Sequence, residues 1–214
     1  MTSQFLNADC MDPEVGLPSL ADKSIGLAIV DPPFAIGMDG GKSIGLRKKW
    51  TNSYEKVKHL EKNWDNAIPA RSYFTELNRV SVNWILWGGN YFVAHLDRVE
   101  HVIAWDKSCD GTSFSHFEIA LTSFKGANRK YTIPIQQESQ RRIHPCQKPR
   151  SLYKALLRDY AKPGDLILDT HVGSASSLIA CQSMGFTYLG YELDPDYYAA
   201  AKRRMRAGVQ KTLL

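Results

Sequence analysis

Three short stretches of this sequence carry residue types that could do chemistry together. The first is Asp31-Pro32-Pro33-Phe34, directly after the apolar run 25–30. Consecutive prolines remove two N–H donors and fix φ, so the neighbouring carbonyls stay rigid and free to accept. An aspartate at the carboxyl end of a buried strand points into the crevice where open α/β sheets hold ligands. The turn therefore suits a planar ring bearing an amino group. One N–H would bond the Asp31 carboxylate, the other the Pro32 carbonyl, with Phe34 stacked on the ring. Such a turn alone also serves simply to end a strand, so its companions must decide.

The second stretch runs from Asp165 to Glu192: a short apolar run ending at Asp169, a turn with Gly173-Ser174, a helical stretch, and a second apolar run ending at Glu192. A nucleoside cofactor lying over such a unit needs close backbone approach, which Gly173 permits. Glu192 can bond ribose hydroxyls, and Asp169 stands where an amino-acid ammonium could be received. An acid at that distance equally suits a dinucleotide, but no GxGxxG is present, which weighs against one. The third stretch is Arg142-Ile143-His144-Pro145-Cys146-Gln147-Lys148-Pro149, just before a helical pattern. Groups at a helix entrance can hold a carboxylate. His144 could equally cap or pack, and Lys148 could be solvated.

The elements that must position these residues can be read from apolar patterning. Runs at 25–30, 82–87, 101–105 and 117–124 read as strands buried on both faces, the last antiparallel or at an edge. A helix is expected over 151–160, a strand over 166–168, and a helix from Gly173-Ser174 to Met184 capped by Gly185. A strand over 187–191 and a helix opened by Asp194 at N-cap and Pro195 at N1 complete the chain. This alternation implies a doubly wound, mostly parallel α/β sheet in a single domain, 1–214. The C-terminal unit has only two strands before the chain ends. The stretch 3–6 can supply a third, bringing Asp9 to the same crevice.

With those elements in place, the ordered set of motifs resembles the β-order amino-methyltransferases of DNA, over roughly residues 5–206. DPPF at 31–34 is similar to the family's (D/N/S)-P-P-(Y/F/W), and HPCQKP at 144–149 to its HPTQKP. WGGNYF at 87–92 and WDK at 105–107 resemble its sequence around the following strands. DTHVGSASS at 169–177 resembles DPFxGSGTT, and GYELDPDYYAAAKRR at 190–204 resembles GxExDxxYxxxAxxR. The resemblance implies a Rossmann-like methyltransferase fold, circularly permuted, with basic loop insertions for target recognition.

It further implies that Asp31, Pro32, Pro33 and Phe34 receive the target base. Asp9, Asp31, His144, Lys148, Asp169, His171, Gly173, Ser174 and Glu192 would form the S-adenosyl-L-methionine site, with Asp9 at the adenine ring. The chain departs from the pattern at Thr170 (proline in the family), His171 (phenylalanine) and Ala175 (glycine). His171 changes one cofactor wall, and Ala175 would be strained at positive φ. The implied activity is methylation of adenine N6 in DNA. N4 of cytosine, RNA as substrate, and a catalytically silent nucleic-acid-binding protein are the alternatives.

Composition agrees with this reading. The 214 residues, 43% hydrophobic and 23% charged, suit a folded globular domain. No apolar run approaches a membrane span and the N-terminus lacks a signal-peptide pattern, so a cytoplasmic protein is expected, and the family resemblance implies a bacterial or phage type. Cys10, Cys109, Cys146 and Cys181 show no CxxC or zinc-ligand spacing, so they read as free thiols and no metal is expected. Net charge is +5, yet residues 125–150 alone hold seven basic residues against Glu138. A second cluster, Lys42 and Arg47-Lys48-Lys49, lies in the other long polar segment. Segments 36–65 (with Trp50, Tyr54 and Trp64) and 126–147 are the candidate DNA-contacting insertions. Double-stranded DNA is the expected partner, a homodimer is left open, and no membrane is expected.

Overall fold

Near-continuous apolar runs make strands that must be covered on both faces, and the computed structural model arranges them so. It describes residues 2–37, 62, 64–97, 99–109, 115–134 and 142–210. The strands are β1 (Gln4–Leu6), β2 (Ile25–Val30), β3 (Ser81–Trp87), β4 (His101–Asp106), β5 (Phe117–Thr122), β6 (Arg129–Thr132), β7 (Leu166–Asp169) and β8 (Thr187–Tyr191). The helices are α1 (Arg71–Val80), α2 (Arg150–Tyr160), α3 (Ser176–Met184) and α4 (Pro195–Gln210). One eight-stranded sheet results, in the order β1-β8-β7-β2-β3-β5-β4-β6. Every neighbouring pair is parallel except the two made by β5.

Side-chain alternation along β2 sends Leu27 and Ile29 to one core and Ala28 and Val30 to the other. The first core packs on Leu152 and Leu156 of α2, Leu178 and Ile179 of α3, and Ala201 and Met205 of α4. The second packs on Tyr73, Phe74 and Leu77 of α1, and on Leu17 from the connection after β1. From β2 the chain winds outward to β3; from β7 it winds the other way to β8. The β2/β7 border is thus the point where strand order reverses and the crevice opens. β1 pairs with β8 through Gln4↔Leu189 and Leu6↔Tyr191, supplying the strand that the C-terminal unit lacks.

Four sequence expectations change in detail. The fifth strand is antiparallel but interior, between β3 and β4, and ends at Thr122 rather than 124. Segment 126–147 is not loop throughout: Arg129–Thr132 forms the edge strand β6, parallel to β4. Its sequence, RKYT, has charged residues where the sheet edge meets solvent, so apolar patterning cannot reveal it. The helix expected from Gly173 begins at Ser176, because Gly173 (φ 52°) and Ala175 (φ 59°) are left-handed. Finally, α1 has no counterpart in the sequence reading; it buries four of its ten residues on the second core. Asp194 does cap α4, its Oδ1 accepting the N–H groups of Asp196 (2.9 Å) and Tyr197 (3.0 Å). Gly185 (φ 78°) closes α3 as expected.

Candidate active site

The carboxyl ends of β2 and β7 open into a cavity of about 500 Å³. Asp31, Pro32, Pro33 and Phe34 form one wall. Asp9, His144, Lys148, His171, Gly173, Ser174 and Glu192 line the rest. These residues come from both ends and the middle of the chain, brought together by the sheet order.

The Asp31 turn is held from behind by a residue that the sequence reading did not single out. Asp65, buried at 2% exposure, accepts N–H groups from Phe34 (2.8 Å), Ala35 (2.8 Å) and Ile36 (3.2 Å). Ala35 is left-handed (φ 59°), so these bonds also hold a strained residue. Phe34 stacks on Tyr91 with ring centroids 5.1 Å apart and planes at 11°. Gly88 (φ 65°) makes room for that ring: a Cβ there would lie 2.1 Å from Phe34 Cε1.

Asp31 does not stand alone. Its Oδ2 is 2.5 Å from Lys148 Nζ, while Oδ1 is buried with no hydrogen-bond partner among the described residues. Lys148, itself 4% exposed, also meets Glu118 of β5 at 3.1 Å, and Glu118 meets Lys107 at 2.6 Å. Burial raises the Asp31 carboxyl above its ordinary value, and the Lys148 ammonium opposes that rise. Burial also works against the Lys148 charge, but the Asp31 and Glu118 carboxylates overcome it and keep the ammonium protonated. The structure therefore ties Lys148 to Asp31 and Glu118, not leaving it solvated as one sequence alternative had it.

The opposite wall is the turn after β7. Asp169 is buried behind it, its Oδ1 accepting the His171 N–H at 3.0 Å and its Oδ2 accepting the Ser177 hydroxyl. Both oxygens thus tie down the loop. Burial lifts the Asp169 carboxyl to about 7, against the pull of those two donors. Glu192 does the same from β8: Oε2 accepts the Gly173 N–H at 2.7 Å and Oε1 the Asp194 N–H at 2.9 Å. Burial raises Glu192 too, above its ordinary value. Arg204 of α4 donates to the Ser174 carbonyl (2.6 Å) and to Ser176 Oγ (2.9 Å).

The departures at Thr170, His171 and Ala175 form a coherent loop. Thr170 Oγ1 lies 2.7 Å from the Tyr73 hydroxyl and 2.9 Å from His171 Nδ1, so the replacements for proline and phenylalanine bond each other. Burial pushes His171 down to about 4, leaving the imidazole neutral near pH 7. His144 stacks edge-on with Tyr197 at 4.5 Å and lies 5.2 Å from the Trp64 ring. Asp9 is exposed at the rim, where its Oδ1 accepts the Met11 N–H at 2.8 Å.

The basic run 125–150 does not form one surface. Since β5 runs against β4, the turn after Thr122 lies at the amino end of β4, away from the cavity mouth. Lys125 and Arg129 are exposed there, whereas Arg142 lies near Glu118 and Cys146 and Lys148 lines the cavity. Lys148 is buried and cannot contact phosphates. Lys42, Arg47, Lys48, Lys49, Trp50, Tyr54 and Arg141 lie outside the described residues. The four cysteines are free thiols. Among the described residues no group of three metal-ligating side chains occurs, and no helix is long and apolar enough to cross a membrane.

The cavity suits a cationic nucleoside ligand. Its volume is that of a small-molecule site. Acid groups stand at the rim (Asp9), the floor (Glu192) and the far wall (Asp31). A Cβ at Gly173 would reach no closer than 3.4 Å to His144, so the left-handed backbone, not crowding, calls for glycine there.

Comparison with known proteins places this geometry. A family model described as DNA methylase matches residues 46–203. The chain is 31% identical over 246 residues to the Type II methyltransferase M.HinfI of Haemophilus influenzae, covering 94% of this chain and 68% of that protein. It is 23% identical over 230 residues to the Type II methyltransferase M.HpaI of Haemophilus parainfluenzae, covering 92% and 73%. Among solved structures, the M1.HpyAVI–SAM complex matches with a TM-score of 0.62 at 15% identity, covering 95% of this chain and 99% of that one. The PvuII DNA methyltransferase, described as cytosine-N4-specific, matches at 0.63 and 14% identity, covering 98% and 91%. At such identities the structures share the fold, while the family match spans most of the chain. The chain belongs to the N6/N4 DNA methylase family.

Proposed function

We propose that this protein transfers the methyl group of S-adenosyl-L-methionine to N6 of adenine in double-stranded DNA. The observation that carries the proposal is the half-buried Asp31 carboxylate, with its Oδ1 shielded from solvent, at one end of a cavity whose other end is the Gly173–Glu192 loop. S-adenosyl-L-methionine supplies an activated methyl group. Glu192, Gly173, Ser174 and His171 would hold it, with Asp9 at its adenine and Asp169 anchoring the loop from behind. Asp31 and the Pro32 carbonyl accept the two N–H bonds of the target amine. Those bonds favour pyramidalisation of a nitrogen whose lone pair is otherwise delocalised, and they stabilise positive charge as it develops. Direct in-line transfer then depends on orientation, without a covalent enzyme intermediate. In duplex DNA the base is flipped out, and the Phe34–Tyr91 pair offers an aromatic surface that offsets part of the lost stacking.

Segment 36–65 and the end of segment 126–147 around Arg142, which returns toward Glu118, would read the target sequence. Their basic residues supply the salt-dependent part of DNA affinity. A second reading, methylation of cytosine N4, is retained for one reason: an acceptor turn of this kind holds any exocyclic amine, and one structural neighbour is described as cytosine-N4-specific. Incubation of unmethylated duplex DNA with labelled S-adenosyl-L-methionine, followed by nucleoside analysis, separates them. Label in N6-methyladenine supports the proposal. Label in N4-methylcytosine replaces the base and keeps the mechanism, and label in neither overturns both.

A further inference from the structure

Behind Asp31 lies a row of alternating charges that the transfer reaction does not by itself require. Asp31 Oδ2 meets Lys148 Nζ at 2.5 Å, Lys148 meets Glu118 Oε2 at 3.1 Å, and Glu118 Oε1 meets Lys107 Nζ at 2.6 Å. The members come from four places: the β2 turn, the entrance to α2, the interior sheet strand β5 and the end of β4. Lys148 and Lys107 are both buried. A buried ion pair is an inefficient way to stabilise a fold, since apolar side chains of like size do as well or better. Four charges in a row beside a cavity therefore call for another explanation.

We propose that Lys148, Glu118 and Lys107 form a positioning chain that keeps Asp31 ionised yet only partly neutralised, so that its carboxylate accepts the target amine. This rests on the reading of Asp31 as amine acceptor. Each link follows from the geometry. Without Lys148, the partly desolvated carboxylate would take up a proton more readily and lose the charge that favours the developing cation. With Lys148 alone, a full ammonium at contact distance would cancel much of that charge. Glu118 draws the ammonium back and shares it, and Lys107 in turn keeps Glu118 charged. One Asp31 oxygen is committed to the chain, while the buried Oδ1 has no partner among the described residues. Carboxylate orientation is thus set before substrate arrives.

Other ionisable groups surround Asp31: Asp169 at the end of β7, Cys146 beside Lys148, Tyr73 on α1 and Tyr153 on α2, while Arg142 faces Glu118. The thiol and both phenols stay neutral through an ordinary assay range. Asp169 titrates within that range and feels the Asp31 charge, so wild type and every chain variant are compared in a common Asp169→Asn background, where the remaining differences belong to the chain.

Two substitutions should move the acid limb of the kcat profile in opposite directions. Lys148→Met strands Asp31, so the limb should rise by about one to three pH units and activity lost at pH 7 should return on the alkaline side. Glu118→Gln removes a like charge and leaves Lys148 wholly on Asp31. The limb should then fall, with kcat down about tenfold at its plateau and KM for DNA unchanged. Lys148→Arg, which keeps the cation, serves if Lys148→Met does not fold; its limb should stay within about half a pH unit of wild type. Urea unfolding of the ligand-free proteins gives a readout independent of activity. The Lys148→Met midpoint should drop more steeply than wild type from pH 5 to pH 8, because the lone buried carboxylate disfavours folding once ionised. Variants that scale activity equally at every pH, with parallel unfolding curves, would overturn the chain and leave it a packing feature. If the wild type methylates no DNA, the amine-acceptor reading fails, and the unfolding curves still decide whether Lys148 holds the Asp31 charge.

Discussion

The carboxylate of Asp65 gives the sharpest test of how the acceptor turn is built. Asp65→Ala removes two hydrogen bonds of 2.8 Å and one of 3.2 Å from consecutive backbone N–H groups. Bonds to a charged group contribute about 1.5–3 kcal/mol each, so the two short ones hold the turn with about 3–6 kcal/mol. Against that, Ala35 in the left-handed region costs about 1–2 kcal/mol. The surplus of about 1–5 kcal/mol is what keeps the turn in one conformation, and it vanishes in the variant. At about 1.4 kcal/mol per power of ten, kcat/KM should fall between about fivefold and a few thousand-fold.

Asp65→Asn makes an internal control. Phe34 and Ala35 both bond Oδ1, which an amide oxygen can replace, whereas Ile36 bonds Oδ2, where an NH2 group would stand. Its loss should be about tenfold, between wild type and alanine, since neutral bonds are roughly half as strong. The assay is methyl transfer to duplex DNA, with a thermal shift on added S-adenosyl-L-methionine to show that the cofactor wall is intact. A folded Asp65→Ala protein that keeps kcat/KM within about twofold of wild type would refute the argument.

Gly88→Ala should act on the same wall from the other side. Its Cβ would lie 2.1 Å from Phe34 Cε1 at a positive φ, so the ring must leave its place on Tyr91. Transfer should fall at least about tenfold while the cofactor thermal shift persists, and unchanged kcat would show that the ring's seat is dispensable. Stability against pH offers another test, because Asp169 and His171 oppose each other. Asp169 rises from 3.8 to about 7 on folding, so it removes stability as pH climbs through that window. His171 falls from 6.5 to about 4, so its contribution is full above 6.5 and is lost as pH drops toward 4. His171→Phe should therefore unmask a urea midpoint that declines from pH 4 to 7, where wild type stays flatter. Parallel curves would mean that the imidazole is not buried as neutral.

Much of the site was legible because its residues sit at strand ends, where local sequence speaks for position. Asp31-Pro32-Pro33-Phe34 follows a six-residue apolar strand, and Glu192 ends another, so both point into one crevice once the strands are parallel. The companions of Asp31 were not legible as a chain. Lys148 and Lys107 stood in recognised motifs, but Glu118 lies near the start of an apolar strand pattern, and their pairing depends on β5 lying between β3 and β4. Asp65 gives still less warning: one of four acids in a polar segment, 31 residues from the turn it supports. Arg204 carried a local signal that went unused, since it falls three residues after Ala201 on the buried side of α4. The basic run 125–150 misled by its continuity in sequence. An antiparallel strand sends its first half to the far end of the sheet, a separation that charge counting cannot show.

The central claim is that Asp31 receives the amine that is methylated. Asp31→Ala tests it most directly, with labelled S-adenosyl-L-methionine, duplex DNA and a parallel cofactor thermal shift. The account predicts no incorporated label beside a cofactor shift close to that of wild type. A variant that still labels DNA at the wild-type rate would contradict the account at its root.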